Sequence, residues 1–393
     1  MSICPIIHTF DILLWFIIAA NVAYILGFAL TIALPPVKCH FTTSKRLQSF
    51  LILIPAYHED SVIAHSVETI LHQDYPKELF HVAVISDSMS TDTNQLLASL
   101  PITLLQPSFQ KSSKAKALQF AMSTIESPYD YVIVLDADNI VASDFISRLN
   151  AIVQPSMVIQ CHRTAKNSDS DVAVLDGVSE EINNTIFRKG HNRIGLSSAL
   201  IGSGMCFDYH WFKTYVNELK SAVEDRELEA LLMKQRIYIH YAEDIYVWDE
   251  KVSNSDNFQR QRQRWMSGQV QAFCQMLPYL PKAIIDGNIN YIDKTVQQAL
   301  IPRSILLILI PILCVISTTS YLIWHTSYTV PLMWWILLFC LCLALFVAIP
   351  KQMRKQSLFP KLLSFPALVW KMVLNIQKID RNNTDFIHTK HGQ

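Results

Sequence analysis

"YVIVLDADN" (Tyr131–Asn139) joins five apolar residues to two aspartates spaced two apart. A run of that length, rich in valine and isoleucine, predicts a strand buried on both faces. Similar runs recur along the chain: "FLILIP" (50–55), "HVAVIS" (81–86), "ITLL" (102–105) and "MVIQC" (157–161). Between them, Ser61–His72, Thr91–Leu100 and Ser112–Glu126 carry helical spacing, some opening at serine or threonine caps. Strand and helix alternating at this rhythm predict an α/β fold, a mostly parallel sheet covered by helices on both faces.

In such sheets a ligand sits outside the carboxyl ends of the strands. Those ends read Pro55-Ala56-Tyr57-His58-Glu59, Asp87 and Asp136-Ala137-Asp138, so acids gather where a ligand would bind. Strand alternation places Asp136 and Asp138 on one side, where hard oxygen ligands suit Mg²⁺ or Mn²⁺ completed by substrate phosphates. Paired aspartates also form turns and helix caps, and in isolation the two readings weigh equally. Asp87 is suited to accept from a base or ribose. Lys114, in "SKAKAL" (113–118), opens a helix and could reach a base or phosphate. Glu224-Asp225 in "VEDREL" (223–228) could supply a general base, with Glu243-Asp244 as a competing pair that reads more like the start of a strand. The chain has nine glycines, none of them between Gly27 and Gly177, which excludes a glycine-rich phosphate loop from the sheet region.

Around this block the composition changes. Hydrophobic residues make up 51% of the 393 and charged residues 17%. The apolar excess falls in three runs of membrane-spanning length: Ile12–Leu34, Ile305–Trp324 and Val330–Ile349, the last two joined by the short "HTSYT". No lysine or arginine precedes the first run. Lys38, Lys45 and Arg46 follow it, and Lys351, Arg354 and Lys355 follow the third. The expected topology has the N-terminus outside and the middle and tail cytosolic, in a plasma or inner membrane. With no basic n-region and no small-residue cleavage site, the first run reads as an anchor. Eight scattered cysteines without a CxxC pair fit a reducing compartment. Zero net charge argues against nucleic acid as a partner. The expected layout is a spanning helix in 1–36, an α/β domain in 45–275, an interfacial segment in 276–300, a helical hairpin in 301–350, and an interfacial helix with cytosolic tail in 351–393. Within the tail, Lys361, Lys371 and Lys378 share one sector of a helix over 361–378, the pattern of a helix lying in the interface.

"QRQRQRW" (259–265) alternates glutamine and arginine up to a tryptophan. Alone it reads as a basic surface run or a headgroup anchor. Together with "IPAYHED", Asp87, "SKAKAL", "LDADN", "GSGM" (202–205) and "VEDREL", in that order, it resembles the membrane-bound family 2 glycosyltransferases. That group includes cellulose, hyaluronan and poly-N-acetylglucosamine synthases and ceramide glucosyltransferase. The resemblance covers about residues 45–270 and implies a GT-A fold and inverting transfer from a nucleotide sugar, expected to be UDP-linked. It implies that Ala56, Tyr57, Glu59, Asp87 and Lys114 line the nucleotide side. Asp136 and Asp138 match the metal-holding DxD pair, and Asp225 matches the base of a TED motif written here with Val223 for threonine. Gln261, Arg264 and Trp265 match QxxRW, serving diphosphate and acceptor, while Arg260 and Arg262 are left as surface arginines. The first acidic motif departs from the family in reading "SDSMS" (86–90), and "FIHTKH" (386–391) loosely resembles a gating loop, sharing Phe386 and Thr389 but ending in His391. The acceptor is a polysaccharide or a glycolipid. The chain length and the one-plus-two membrane layout suit single transfer to a lipid, and an oligomer could supply further helices.

Overall fold

The computed structural model describes residues 3–37, 46–155, 157–221, 223–252, 255–324 and 327–354. The chain opens with α1 (Ile3–Leu30). It then alternates β1 (Phe50–Tyr57), α2 (Ile63–Leu71), β2 (Phe80–Asp87), α3 (Thr91–Ala98), β3 (Thr103–Leu105), α4 (Lys114–Thr124) and β4 (Tyr131–Val134). Short β5 (Ile140–Val141), α5 (Phe145–Ile152) and β6 (Met157–Ala165) follow. Next, α6 (Asp171–Asn183) runs through a π-helical turn (Asn184–Gly190) into α7 (His191–Arg193). The domain continues with β7 (Met205–Asp208), α8 (Tyr209–Tyr215), α9 (Glu224–Lys234) and β8 (Tyr238–Asp249). Beyond it come α10 (Ser255–Met276), α11 (Leu280–Ile285), α12 (Ile289–Ala299), α13 (Arg303–Trp324) and α14 (Thr329–Ala348).

Eight strands form one sheet in the order β3-β2-β1-β4-β7-β6-β8-β5. All pairings among the first four strands are parallel, as the alternation predicts, and β7 runs antiparallel between β4 and β6. The central strands are buried on both faces because alternate side chains feed two cores. Leu51 and Leu53 join Leu118, Leu228 and Leu232 on one face; Phe50, Ile52 and Ile54 join Val67, Leu97 and Leu149 on the other. Serine caps start α3 and α4, each one residue from the expected openings at Thr91 and Ser112, Ser90 accepting from Thr93 N (3.2 Å) and Ser113 from Lys116 N (3.2 Å).

A third core lies outside the sheet. Ile18, Val22 and Ile25 of α1 pack with Val174, Val178 and Ile182 of α6, Leu306 and Ile310 of α13, and Trp334 and Leu341 of α14. Thus α6 and the π-helical turn, to which the periodicity assigns no element, carry the domain onto the three long apolar helices. Closeness is demanded at Gly190, where an added Cβ would stand 2.5 Å from the Phe28 carbonyl oxygen of α1. Three helical stretches, Thr9–Ala33, Arg303–Trp324 and Thr329–Ala348, are long and apolar enough to cross a membrane. The expected interfacial helix over 361–378 and the "FIHTKH" segment lie outside the described residues, as do Lys38 and Lys45.

Candidate active site

The carboxyl ends of β1 and β2 stand level, with Tyr57 in register with Asp87, while β4 stops at Val134, in register with Leu53. Asp136 and Asp138 fall beyond β4, which stops at Val134. Strand alternation therefore does not align them, contrary to the sequence expectation; a turn does. The Asp136 amide donates to Asn139 Oδ1 (2.9 Å) and Ser203 Oγ (3.0 Å), and Asp138 Oδ2 accepts from the Glu250 amide (2.7 Å). Both still line one cavity, together with Ala56, Tyr57, Glu59, Asp87 and Lys114.

Lys114 is not the solvated helix lysine that its position suggests. Its Nζ is ion-paired with Asp136, lies 3.5 Å from Glu224 Oε1, and donates to the Gly202 carbonyl at 2.6 Å. Burial alone would lower its pKa, but Asp136, Glu224 and Asp225 outweigh it and hold the ammonium above the usual lysine value. Glu224, which the sequence reading passes over in favour of Asp225, is buried, and its carboxyl is pushed up to about 7, by burial first and against the pull of Lys114. Gly202 has φ +81°, and an added Cβ there would lie 3.8 Å from Asp225 Oδ2, Glu224 Oε1 and Lys114 Nζ alike. The "GSGM" turn thus lets backbone pass close to the acids.

Negative charge is in excess at the strand ends. Burial pushes the Glu59 carboxyl up to about 9, helped by Asp138, Asp136, Glu250 and Asp60. Among the described residues no group of three histidines, cysteines or acids is set to hold a metal by itself. Two aspartates with room for phosphate oxygens nevertheless suit a cation that keeps part of its shell for substrate, and a divalent ion would relieve the repulsion that Glu59 registers.

Helix α10 closes the other wall. Gln261, Arg264 and Trp265 stand at i, i+3 and i+4, so one face carries all three to the cavity. The helix approaches "VED" directly: a Cβ on Gly268 would lie 2.3 Å from Val223 Cγ1. Arg262, set aside above as a surface arginine, is instead mostly buried in the same wall, 2.5 Å from Asp176 Oδ1, its guanidinium carbon 4.8 Å from the Trp265 ring. The Arg260 side chain lies outside the described ones. Behind Arg262, Arg163 and Arg188 share Glu180 at 3.1 and 3.2 Å. Burial raises the Glu180 carboxyl, but Arg163, Lys251 and Arg188 outweigh it and hold it at about 2. The rival pair is elsewhere: Glu243 lies within β8, bonded to Lys189 and Arg193, and Asp244 is exposed.

The cavity measures about 710 Å³ and does not end at the acids. It continues past Phe187 and Ile301 to Ile25 of α1, Leu307 of α13, and Leu345 and Phe346 of α14. Sequence reasoning had no means to find this, since a spanning run shows which residues are apolar but not which face a cleft.

Residues 48–268 match the model of the family Glycosyltransferase like family 2. Over 102 residues the chain is 28% identical to the probable glycosyltransferase YdaM of Bacillus subtilis (strain 168), a match spanning 24% of each chain. Among solved structures, the mannosyltransferase PcManGT from Pyrobaculum calidifontis, in complex with GDP-Man and Mn²⁺, superposes with a TM-score of 0.55. That superposition covers 93% of this chain and 99% of that one at 14% identity, a likeness of fold. Residues 1–349 of S. aureus TarS reach a TM-score of 0.39 over 84% and 90% at 15% identity. The sheet, its helices and the site at its strand ends form a GT-A fold, and with more than half of its length matched by the family model the chain belongs to glycosyltransferase family 2.

Proposed function

We propose that this enzyme transfers a sugar, with inversion, from a nucleotide-sugar donor to a lipid acceptor that reaches the site from the membrane. One observation carries the choice of acceptor: a single cavity joins Asp136, Asp138 and Asp225 to the apolar faces of α1, α13 and α14. A water-soluble acceptor has no use for that apolar stretch; a lipid does, because its chain stays out of water while its head meets the acids. A single transfer to such a lipid fits better than polymer extrusion.

In this reading Ala56, Tyr57 and Asp87 hold the nucleoside, and Asp136 and Asp138 hold the divalent ion. PcManGT is in complex with GDP-Man and Mn²⁺, and Mg²⁺ or Mn²⁺ would serve here by screening the diphosphate. Asp225 accepts the proton of the acceptor hydroxyl as that oxygen bonds to the anomeric carbon, and the bond from that carbon to the diphosphate breaks. Arg264 offsets the charge gathering on the departing diphosphate, and Gln261 bonds beside it. Trp265 offers an indole face to the acceptor sugar or headgroup. Lys114 keeps Asp136 and Glu224 apart in charge and fixes the carboxylate of Asp136. The domain lies on the cytosolic side, with 276–300 at the interface.

The test is to incubate the purified full chain with a panel of UDP- and GDP-sugars and a lipid extract, and to analyse products by mass spectrometry. An organic-soluble lipid bearing one added sugar, absent in Asp138→Asn and after EDTA, is expected. Only a water-soluble polymer or free sugar would overturn the lipid reading, and full activity in EDTA would remove the metal.

A further inference from the structure

Between the acids and the apolar stretch, the wall of the cavity carries an arginine that the reaction above does not use. Arg303 is the first residue of α13 and lines the cavity beside Ser304 and Leu307. One amino group, Nη2, donates to Asn183 Oδ1 (2.6 Å) and the Ser179 carbonyl (3.3 Å). The other, Nη1, is buried and has no hydrogen-bond partner. Among the described residues no carboxylate forms an ion pair with Arg303, unlike the neighbouring Arg163, Arg188 and Arg262. The nearby charges do not cancel it. Arg303 feels Arg262, Arg188 and Glu180, and Glu180 is already divided between Arg163 and Arg188, with Lys251 at 3.9 Å. Asp176 is engaged by Arg262, whose own Nε is likewise buried without a partner. Even with Asp249, which pairs with Arg163 (3.4 Å) and Lys251 (2.9 Å), positive charge is in surplus at this level of the cavity, and Arg303 Nη1 and Arg262 Nε, like the Nε of Arg163 and of Arg188, are buried donors without a hydrogen-bond partner.

A buried guanidinium with one arm of its fork unpartnered is costly unless something anionic completes it. Planar donors of this kind match phosphate oxygens. The position decides what the phosphate belongs to. Arg303 stands where α6 meets α13, and from it the wall becomes Phe187, Ile301, Leu307, Leu345 and Phe346. An anion bound here has hydrocarbon-lined space on one side and the transfer site on the other.

We infer that Arg303, with Arg262 beside it, forms a subsite for the phosphate of a phosphate-bearing lipid acceptor, an inference that rests on the lipid-acceptor reading. Phosphate chemistry could also come from a free anion or from the donor's diphosphate, so the experiment separates the three.

The full-length protein in neutral detergent is offered geranylgeranyl phosphate, geranylgeraniol or inorganic phosphate, and bound species are counted by native mass spectrometry. UDP and GDP affinities are measured in parallel. The phosphorylated lipid should be retained over the alcohol by at least about tenfold, in line with one hydrogen bond to a charged group. Inorganic phosphate at the same concentration should not displace it. Arg303→Gln should remove that preference while leaving alcohol retention and nucleotide affinity unchanged, and Arg303→Lys, which keeps the charge, should restore part of it. Equal retention of phosphate and alcohol by the unsubstituted protein would overturn the phosphate subsite and leave the lipid reading standing. Retention of neither lipid would overturn the lipid reading itself. Displacement by inorganic phosphate would make this a free-anion site, and a fall in UDP or GDP affinity in Arg303→Gln would assign the arginine to the donor; either result overturns the inference.

Discussion

Asp225 and Asp244 are both acids beside a glutamate, and only their surroundings tell them apart. Asp225 lines the cavity beside Gly202, whereas Asp244 is exposed on β8. Asp225→Asn should cut turnover by about 10²-fold or more while nucleotide-sugar binding, measured by calorimetry, stays intact, because a base acts on the acceptor. Asp244→Asn should keep most activity. The reverse order would move the base to β8. A second residue-scale effect concerns His240. Burial lowers its pKa from 6.5 to about 4, so the fold holds it neutral. A depressed folded pKa means that this contribution to stability is complete above pH 6.5 and is lost as pH falls toward 4. The acid side of a melting-temperature profile should therefore be flatter in His240→Gln than in the parent; identical slopes would show that His240 does not report on folding.

At the scale of elements, α10 depends on one missing side chain. A Cβ on Gly268 would meet Val223 Cγ1 at 2.3 Å, and Val223 immediately precedes Glu224 and Asp225. Alanine in place of glycine gains about 1 kcal/mol of helix propensity. Overpacking against a stiff valine costs about 1–3 kcal/mol, so the clash wins. Gly268→Ala should lower both the melting temperature and turnover by moving Gln261, Arg264 and Trp265 away from the acids. Adding Val223→Ala should restore much of both, read as a positive coupling in a double-mutant cycle. Simple additivity would show that α10 is not held through this contact.

For the whole molecule, the outward faces of the three apolar helices are wide and bare. Phe16 and Ile17 of α1, Leu322 and Trp324 of α13, and Trp335 and Phe339 of α14 are all at least half exposed. A soluble protein rarely leaves such a patch uncovered, and a bilayer would cover this one. On the topology proposed from the positive-inside pattern, the loop between α13 and α14 would lie outside. A cysteine at Ser327 should therefore react with an impermeant maleimide in intact cells, above the background of the parent protein. One at Lys234, exposed on α9, should react only after lysis. Labelling of Lys234→Cys in intact cells would invert the topology.

Much of this architecture is legible in the residues alone. Apolar runs set the parallel half of the sheet and the three helices long and apolar enough to cross a membrane, because burial on both faces and a hydrocarbon surround each demand an uninterrupted apolar signature. Asp87, Asp136 and Asp138 are legible where apolar runs stop, and motif resemblance singled out Lys114, Asp225, Gln261, Arg264 and Trp265; all eight line one cavity. Tertiary structure alone decided the rest. That Lys114 is clamped between Asp136 and Glu224, that Arg262 turns inward to Asp176, and that Arg303 keeps an unpartnered donor are outcomes of distance between segments far apart in the chain. The same holds for α6, which has ordinary helical composition yet lies among the three long apolar helices and joins the acids to an apolar cleft. Charge and hydropathy are properties of a residue, but whether a charge is neutralised, or an apolar face opens on a cavity, depends on what the fold sets opposite it.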